Sequence, residues 1–103
     1  VYLMAAEAAV KTGGDAASYI NTLRKNRITG YEDVTSVTLE DILFERRVEL
    51  FAENSMAFDY WRNKMSVNNP YVGEVKYNDY RTILPIPLDE LNLGDALVQN
   101  PGY

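Results

Sequence analysis

Residues 38–53 place apolar side chains on opposite faces of one helix. Thr38 is a good N-cap residue, and Asp41 three positions later allows a capping box, so the helix is predicted to begin after Thr38. One face carries Leu39, Ile42, Leu43 and Leu50, and the other carries Phe44, Val48, Phe51 and Ala52. Because a helix that is apolar on two sides needs cover on both, we predict a central, buried helix.

Two shorter helices are predicted before it, joined as a hairpin. The first covers about residues 2–12 and ends at Gly13, where glycine readily adopts the left-handed C-cap conformation. Asp15 is a suitable N-cap for a second helix that extends to about Asn26. Two antiparallel helices joined by so short a turn resemble one tetratricopeptide-like unit.

The last 50 or so residues are predicted to be helical at first and then irregular. A fourth helix, a polar segment, an extended stretch and one helical turn follow in order, at about 56–64, 66–81, 83–87 and 88–93. The extended stretch follows from Pro85 and Pro87, since each proline disfavours helix at the preceding residue. The predicted fold is therefore all-α: a helical hairpin, a central buried helix and an irregular, proline-containing C-terminal segment, in a single domain over 1–103.

The composition excludes several classes of function. The sequence contains no cysteine and no histidine, which removes disulfides, thiolate nucleophiles, a histidine general base and Cys/His zinc sites. The 10 Lys and Arg against 15 Asp and Glu give a net charge of −5, the opposite of the basic face that nucleic-acid binding needs. No apolar run approaches the ~20 residues of a membrane-spanning helix.

A row of carboxylates along the predicted central helix is one candidate site. Glu45, Glu49 and Glu53 are spaced four residues apart, and like charges at this spacing destabilise a helix unless cations lie between them. The row is a candidate for metal binding or acid–base chemistry, but such sites draw their ligands from several elements. We favour a structural ion-pair network, with these members: Glu45, Arg46, Arg47, Glu49, Glu53, Asp59 and Arg62.

A cluster of aromatic and planar polar side chains is the second candidate. Its possible ligand contacts are Trp61, Tyr71, Tyr77, Asn78, Tyr80 and Arg81. Flat aromatic faces with amide, carboxylate and guanidinium groups nearby are typical of sugar recognition. The same composition fits an ordered loop whose tyrosines cover the core and keep their hydroxyls in water. Both interpretations remain open from the sequence.

Several phrases together resemble the SusD/RagB family. They are AEA at 6–8 with the glycine turn at 13–14, YINTLR at 19–24, TLEDILFERRVEL at 38–50 with Glu53 and 58–59, LPIP at 84–87 with 90–91, and QNPGY at 99–103. These phrases occur in the family's order and spacing, and they cover nearly the whole chain. The sequence is therefore identified as similar to the C-terminal portion of such a protein.

The resemblance implies an all-α, tetratricopeptide-like lipoprotein on the outer surface of Gram-negative anaerobes. Family members bind oligosaccharides or other nutrients, cover a TonB-dependent, SusC-like outer-membrane transporter, and are neither enzymes nor cofactor-dependent. The resemblance also implies that the lipid-bearing cysteine and most glycan-contacting aromatics lie in sequence outside this chain. No family binding residue is carried over, and the matching charges from Glu45 to Glu53 imply a structural role. This chain is thus expected to act mainly as scaffold.

After the predicted third helix the sequence departs from the pattern of the family. Where the family usually has glycine, and often histidine after it, this chain has Asn54 and Ser55. Asparagine also tolerates the left-handed conformation, so we predict a positive φ at Asn54 that separates the third and fourth helices.

The alternative function is a tetratricopeptide-like protein-interaction module that binds no sugar.

Overall fold

The computed structural model describes residues 1–53, 55–94 and 96–103. They form two compact units, Val1–Met56 and Ala57–Tyr103, which are described in turn. The elements are α1 (Tyr2–Thr12), α2 (Ala16–Lys25), α3 (Leu39–Glu49), α4 (Met56–Arg62), β1 (Val67–Asn69), β2 (Gly73–Val75), a 3₁₀ helix (Tyr80–Thr82) and α5 (Leu88–Leu93). Over these described residues the fold is all-α apart from one small two-stranded sheet, which confirms the predicted class.

The first unit opens with the predicted helical hairpin. Helix α1 ends at Gly13, whose φ of 75° is the left-handed C-cap conformation. Helix α2 begins at Asp15, whose side chain accepts a hydrogen bond from the Ser18 N–H at 3.1 Å. The predicted end of α1 at Gly13 and the predicted start of α2 at Asp15 are both confirmed.

Helix α3 packs on this hairpin through one face. Its capping box is present: Thr38 Oγ1 accepts from the Asp41 N–H at 3.2 Å, and Asp41 Oδ2 accepts from the Thr38 N–H at 2.8 Å. The backbone N–H and the hydroxyl of Thr38 both donate to the Asp41 carboxylate and lower its pKa. Ile42 is 0% exposed. It packs in one hydrophobic core with Leu3, Ala6, Ala16, Ile20 and Leu23.

The other face of α3 is exposed among the described residues, which contradicts the expectation that the helix is buried on two sides. Phe44 and Val48 are each 58% exposed and Phe51 is 84% exposed. In this unit α1 packs against α2 and against α3, so the hairpin covers the α3 face that carries Ile42 and Leu43. The helix ends at Glu49, and the turn after it includes Ala52 with a φ of 67°. Asn54 lies outside the described residues.

The second unit contains a short hairpin where the sequence predicted only an irregular polar segment. Strands β1 and β2 pair antiparallel, with Val67 opposite Val75. The Asn69 side chain accepts hydrogen bonds from the N–H groups of Tyr71 and Val72, and Gly73 has a φ of 74°. Strands of three residues are too short for alternation of polar and apolar residues to reveal them.

The C-terminal segment is held by side chains of the tail. The Gln99 side chain bonds both the N–H and the carbonyl of Ile86, at 2.8 and 2.9 Å. Asn100 donates to the Leu84 carbonyl, and the Tyr103 hydroxyl donates to the Ile83 carbonyl, each at 2.8 Å. The two C-terminal phrases of the sequence, LPIP and QNPGY, are therefore bonded to each other. Helix α5 over Leu88–Leu93 confirms the predicted helical turn.

Candidate functional site

The aromatic and planar polar cluster lies in the second unit, where Trp61 is anchored. The indole Nε1 of Trp61 donates to the Val75 carbonyl at 3.3 Å, which ties α4 to β2. The ring also meets Phe58 edge-on, with centroids 5.8 Å apart and an interplanar angle of 84°. The half-buried Trp61 thus has its only side-chain donor hydrogen-bonded and its ring in contact with Phe58 within its own unit.

Arg81 is more fully engaged. Its Nε and Nη2 donate to the two carboxylate oxygens of Asp79 at 2.8 and 2.7 Å. Nη1 donates to the Val72 carbonyl at 3.0 Å, and Nη2 also donates to the Glu74 carbonyl at 3.2 Å. One guanidinium therefore joins the 3₁₀ helix to the hairpin, and its planar fork is used for folding.

The hydrogen bonds between Asp79 and Arg81 shift the pKa of both side chains. The guanidinium of Arg81 donates to the Asp79 carboxylate, and the backbone N–H of Arg81 adds a bond at 2.9 Å. Together they lower the pKa of Asp79 from 3.8 to about 2, while the same pairing raises the pKa of Arg81. Asp79 is an ionised partner for arginine at ordinary pH and a poor general acid or base.

The remaining members of the cluster are exposed. Tyr71, at the tip of the hairpin, is 93% exposed, and Asn78 is also at the surface. Tyr77 and Tyr80 are roughly half exposed, and the Tyr80 ring meets Tyr103 edge-on with centroids 5.1 Å apart. Exposed tyrosine rings can stack on a sugar, but the polar groups best suited to orient one, on Trp61 and Arg81, are occupied.

The carboxylate row of α3 meets arginines of α2. Arg24 donates through Nε and Nη2 to Glu45 Oε2 at 2.9 and 2.8 Å. Arg27 donates through Nε to both carboxylate oxygens of Glu49 at 3.1 Å. The pKa of each arginine is raised chiefly by its hydrogen bonds to the glutamate, and the pKa of Glu49 is lowered by those from Arg27. Glu45 and Glu49 therefore hold guanidinium groups.

Sequence reasoning did not identify Arg24 and Arg27 as the partners. Arg24 lies in the last turn of α2 and Arg27 lies two residues beyond its end, so the two are three residues apart in the sequence. The three-residue spacing of Arg24 and Arg27 was the sequence signal that could have paired them with acidic residues. It does not show which carboxylates they bind. Arg24 also lies over the Tyr31 ring at 5.8 Å, which adds a cation–π contact from the loop before α3.

The other predicted network members occupy several positions. Arg46 is half-buried and lines a cleft of about 560 Å³ together with Arg27, Glu49 and Leu50. Arg47 and Glu53 are exposed. Arg62 pairs with Asp59 at 2.8 Å, one turn apart on α4. A single network that joins all these charges stays a prediction.

The described residues contain neither a cluster of metal-ligating side chains nor a membrane-spanning helix. Within that part of the chain, no three His, Cys, Asp or Glu side chains gather as metal ligands would. Over the same residues, no helix has both the length and the apolar character needed to cross a bilayer.

Comparisons with known proteins agree with one another. The model of the SusD family matches residues 1–72. The starch-binding protein SusD of Bacteroides thetaiotaomicron is 33% identical over 114 aligned positions, which cover 99% of this chain and 20% of that protein. The chain thus spans about a fifth of the curated relative's length.

Solved structures of two further proteins resemble the fold. A SusD superfamily protein from Bacteroides vulgatus is 36% identical with a TM-score of 0.76, over 99% of this chain and 26% of that one. A SusD superfamily protein from Bacteroides thetaiotaomicron is 32% identical with a TM-score of 0.81, over 97% of this chain and 26% of that one. In both, the shared fold makes up about a quarter of the solved chain.

Proposed function

This chain belongs to the SusD family, and from that membership we propose that it is the C-terminal part of a larger nutrient-binding protein. The whole protein would capture oligosaccharides by non-covalent contacts, and this part would serve mainly as scaffold. The observation that carries the proposal is the 33% identity, over 99% of this chain, to a starch-binding protein.

The scaffold role is supported by how the planar side chains of the second unit are used. Trp61 donates its indole N–H to the Val75 carbonyl, and Arg81 binds Asp79 and two carbonyls of the hairpin. A sugar would have to compete with these bonds, since each side chain has few further donors to offer. The other aromatic members, Tyr71, Tyr77 and Tyr80, are exposed, and an exposed ring buries less of a ligand than a concave site does.

The proposal includes no chemical step. A glycosidase would need two carboxylates facing one substrate with distinct protonation states. Here Glu45, Glu49 and Asp79 bind arginines instead. Handover to a TonB-dependent, SusC-like transporter and a lipid anchor at the outer face of the outer membrane are further parts of the proposal. They rest on family membership and would involve polypeptide outside this chain.

Titration of the chain with oligosaccharides tests the scaffold role. We expect that maltoheptaose at millimolar concentration gives only small, linear changes in the ¹H–¹⁵N NMR spectrum of the 103-residue chain. Stacking on exposed tyrosines is worth about 4 kcal/mol at most, which corresponds to a Kd of about 1 mM. Cellohexaose serves as the matched control, with the same sugar unit in a different linkage.

Saturable shifts at micromolar maltoheptaose, centred on Trp61, Tyr77 or Tyr80, would contradict the scaffold role. They would assign recognition to the second unit itself.

A further inference from the structure

Residues 99–103, which we call the latch, bind the segment 83–86 through side chains. The Gln99 side chain accepts from the Ile86 N–H at 2.8 Å and donates to the Ile86 carbonyl at 2.9 Å. In an antiparallel sheet, a residue of the neighbouring strand makes this pair of bonds with its own backbone. One side chain of the latch thus makes the bonds that a neighbouring strand would make.

The prolines of the segment explain why side chains are needed. Proline has no N–H, so this stretch cannot offer the regular donors and acceptors of a strand, and its carbonyls need donors from elsewhere. Asn100 donates to the Leu84 carbonyl at 2.8 Å. The Tyr103 hydroxyl donates to the Ile83 carbonyl at 2.8 Å. With the two bonds to Ile86, the latch binds four backbone groups of the segment.

A β-turn within the latch links these side chains. The Tyr103 N–H lies 3.4 Å from the Asn100 carbonyl, and Pro101 and Gly102 stand between them, with a φ of 100° at Gly102. Proline followed by glycine with a positive φ is typical of a type II turn. A Cβ at Gly102 would lie 2.5 Å from Cγ of Tyr80, whose ring meets Tyr103 edge-on. The turn therefore fixes the Asn100 and Tyr103 side chains relative to each other.

We propose that the latch opens and closes on segment 83–86 as one unit. Because the turn holds its side chains in one arrangement, the loss of one bond weakens the others. Opening frees four backbone groups along a strand-like edge, and such edges pair with other extended chains. The closed latch keeps this edge occupied. The inference goes beyond the proposed function and does not depend on it, since every contact that carries it lies within the second unit.

The β1–β2 hairpin has bonds of its own that do not involve the latch. Arg81 binds Asp79 and two carbonyls of the hairpin, and Trp61 donates to a third carbonyl there. These bonds can persist while the latch is open. Local opening of this kind needs less free energy than unfolding of the whole unit.

Hydrogen exchange in the full-length protein, measured by mass spectrometry, tests the proposal. Because proline has no N–H and the first residue of a peptide loses its label, a peptide over 84–87 reports the Ile86 amide alone. Tyr103→Phe removes the hydroxyl bonded to the Ile83 carbonyl and leaves both bonds of Ile86 in place. We expect the Ile86 amide to exchange about tenfold faster in this variant, with the amides of β1 and β2 at their parent rates. Tyr71→Phe is the matched control, since it removes an exposed hydroxyl of the same unit and should change neither rate.

Gly102→Ala tests the turn independently of the Tyr103 hydroxyl. A side chain at this position meets both a left-handed φ and the Tyr80 ring, so we expect the Ile86 amide to exchange about 100-fold faster, again without a change in β1 and β2. Parent exchange rates at Ile86 in both variants would overturn the proposal, because the bonds would then form independently. Equal acceleration at Ile86 and in the β1–β2 hairpin would also overturn it, because residues 99–103 would then open only when the whole unit unfolds.

Discussion

Replacing Ile42 with alanine is expected to lower the free energy of unfolding of this chain by about 3–4 kcal/mol. Ile42 is 0% exposed and lies where α3 meets the hairpin of α1 and α2. The substitution removes three buried carbon atoms and leaves a cavity that the surrounding helices fill only in part. Urea denaturation followed by circular dichroism at 222 nm measures the change as a lower midpoint.

Val48→Ala is the matched control for this prediction. It shortens a β-branched side chain in the same helix, but Val48 lies on the exposed face, so the loss should stay below about 1 kcal/mol. If the two variants unfolded at the same urea concentration, the assignment of the inner and outer faces of α3 would be wrong.

Replacing Arg24 with alanine is expected to cost about 2–3 kcal/mol, somewhat less than the loss of one partner from a fully buried pair. The side chains of Arg24 and Glu45 are only 22% and 14% exposed. Without Arg24, the Glu45 carboxylate is left in a poorly solvated position, and the contact of the guanidinium with the Tyr31 ring is also lost. Urea denaturation again measures the change.

The next residue provides a control for the Arg24 prediction. Lys25 forms an ion pair with Asp33 at 2.7 Å, but both side chains are at least half exposed. Exposed pairs contribute little, so Lys25→Ala should change stability by less than about 0.5 kcal/mol. Equal losses for the two variants would mean that the Arg24–Glu45 pair has no special role in holding α2 against α3.

Local signals predicted where α2 and α3 begin. Asp15 caps α2, and Thr38 with Asp41 caps α3, because these bonds join residues three apart and need nothing from the rest of the fold. Cover for Phe44 and Val48 is a tertiary property, and the apolar pattern of one helix does not say whether a second neighbour is present in the same chain.

The candidate site was harder to predict for the same reason. The sequence identified Glu45, Trp61 and Arg81 as residues with something to bind. The partners of Glu45 and Trp61 lie 21 and 14 residues away, and Arg81 binds carbonyls 7 and 9 residues away in addition to its neighbour Asp79. Arg24 becomes a neighbour of Glu45 only after the chain has folded. The same is true of the hairpin carbonyls that Trp61 and Arg81 bind. The backbone carbonyls that receive Trp61 and Arg81 carry no residue-specific signal at all.

We propose that this chain supports glycan capture by the full-length protein without providing the recognition surface. Isothermal titration of the full-length protein with maltoheptaose tests it, for the parent and for the double variant Tyr71→Ala/Tyr77→Ala. These two rings are exposed, so their removal should leave the fold intact, as an unchanged melting temperature would verify. We predict that the parent binds and that the Kd of the double variant stays within about twofold of the parent value, a change below about 0.4 kcal/mol. A parent protein that binds no oligosaccharide, or a tenfold or greater rise in Kd at unchanged melting temperature, would contradict the claim.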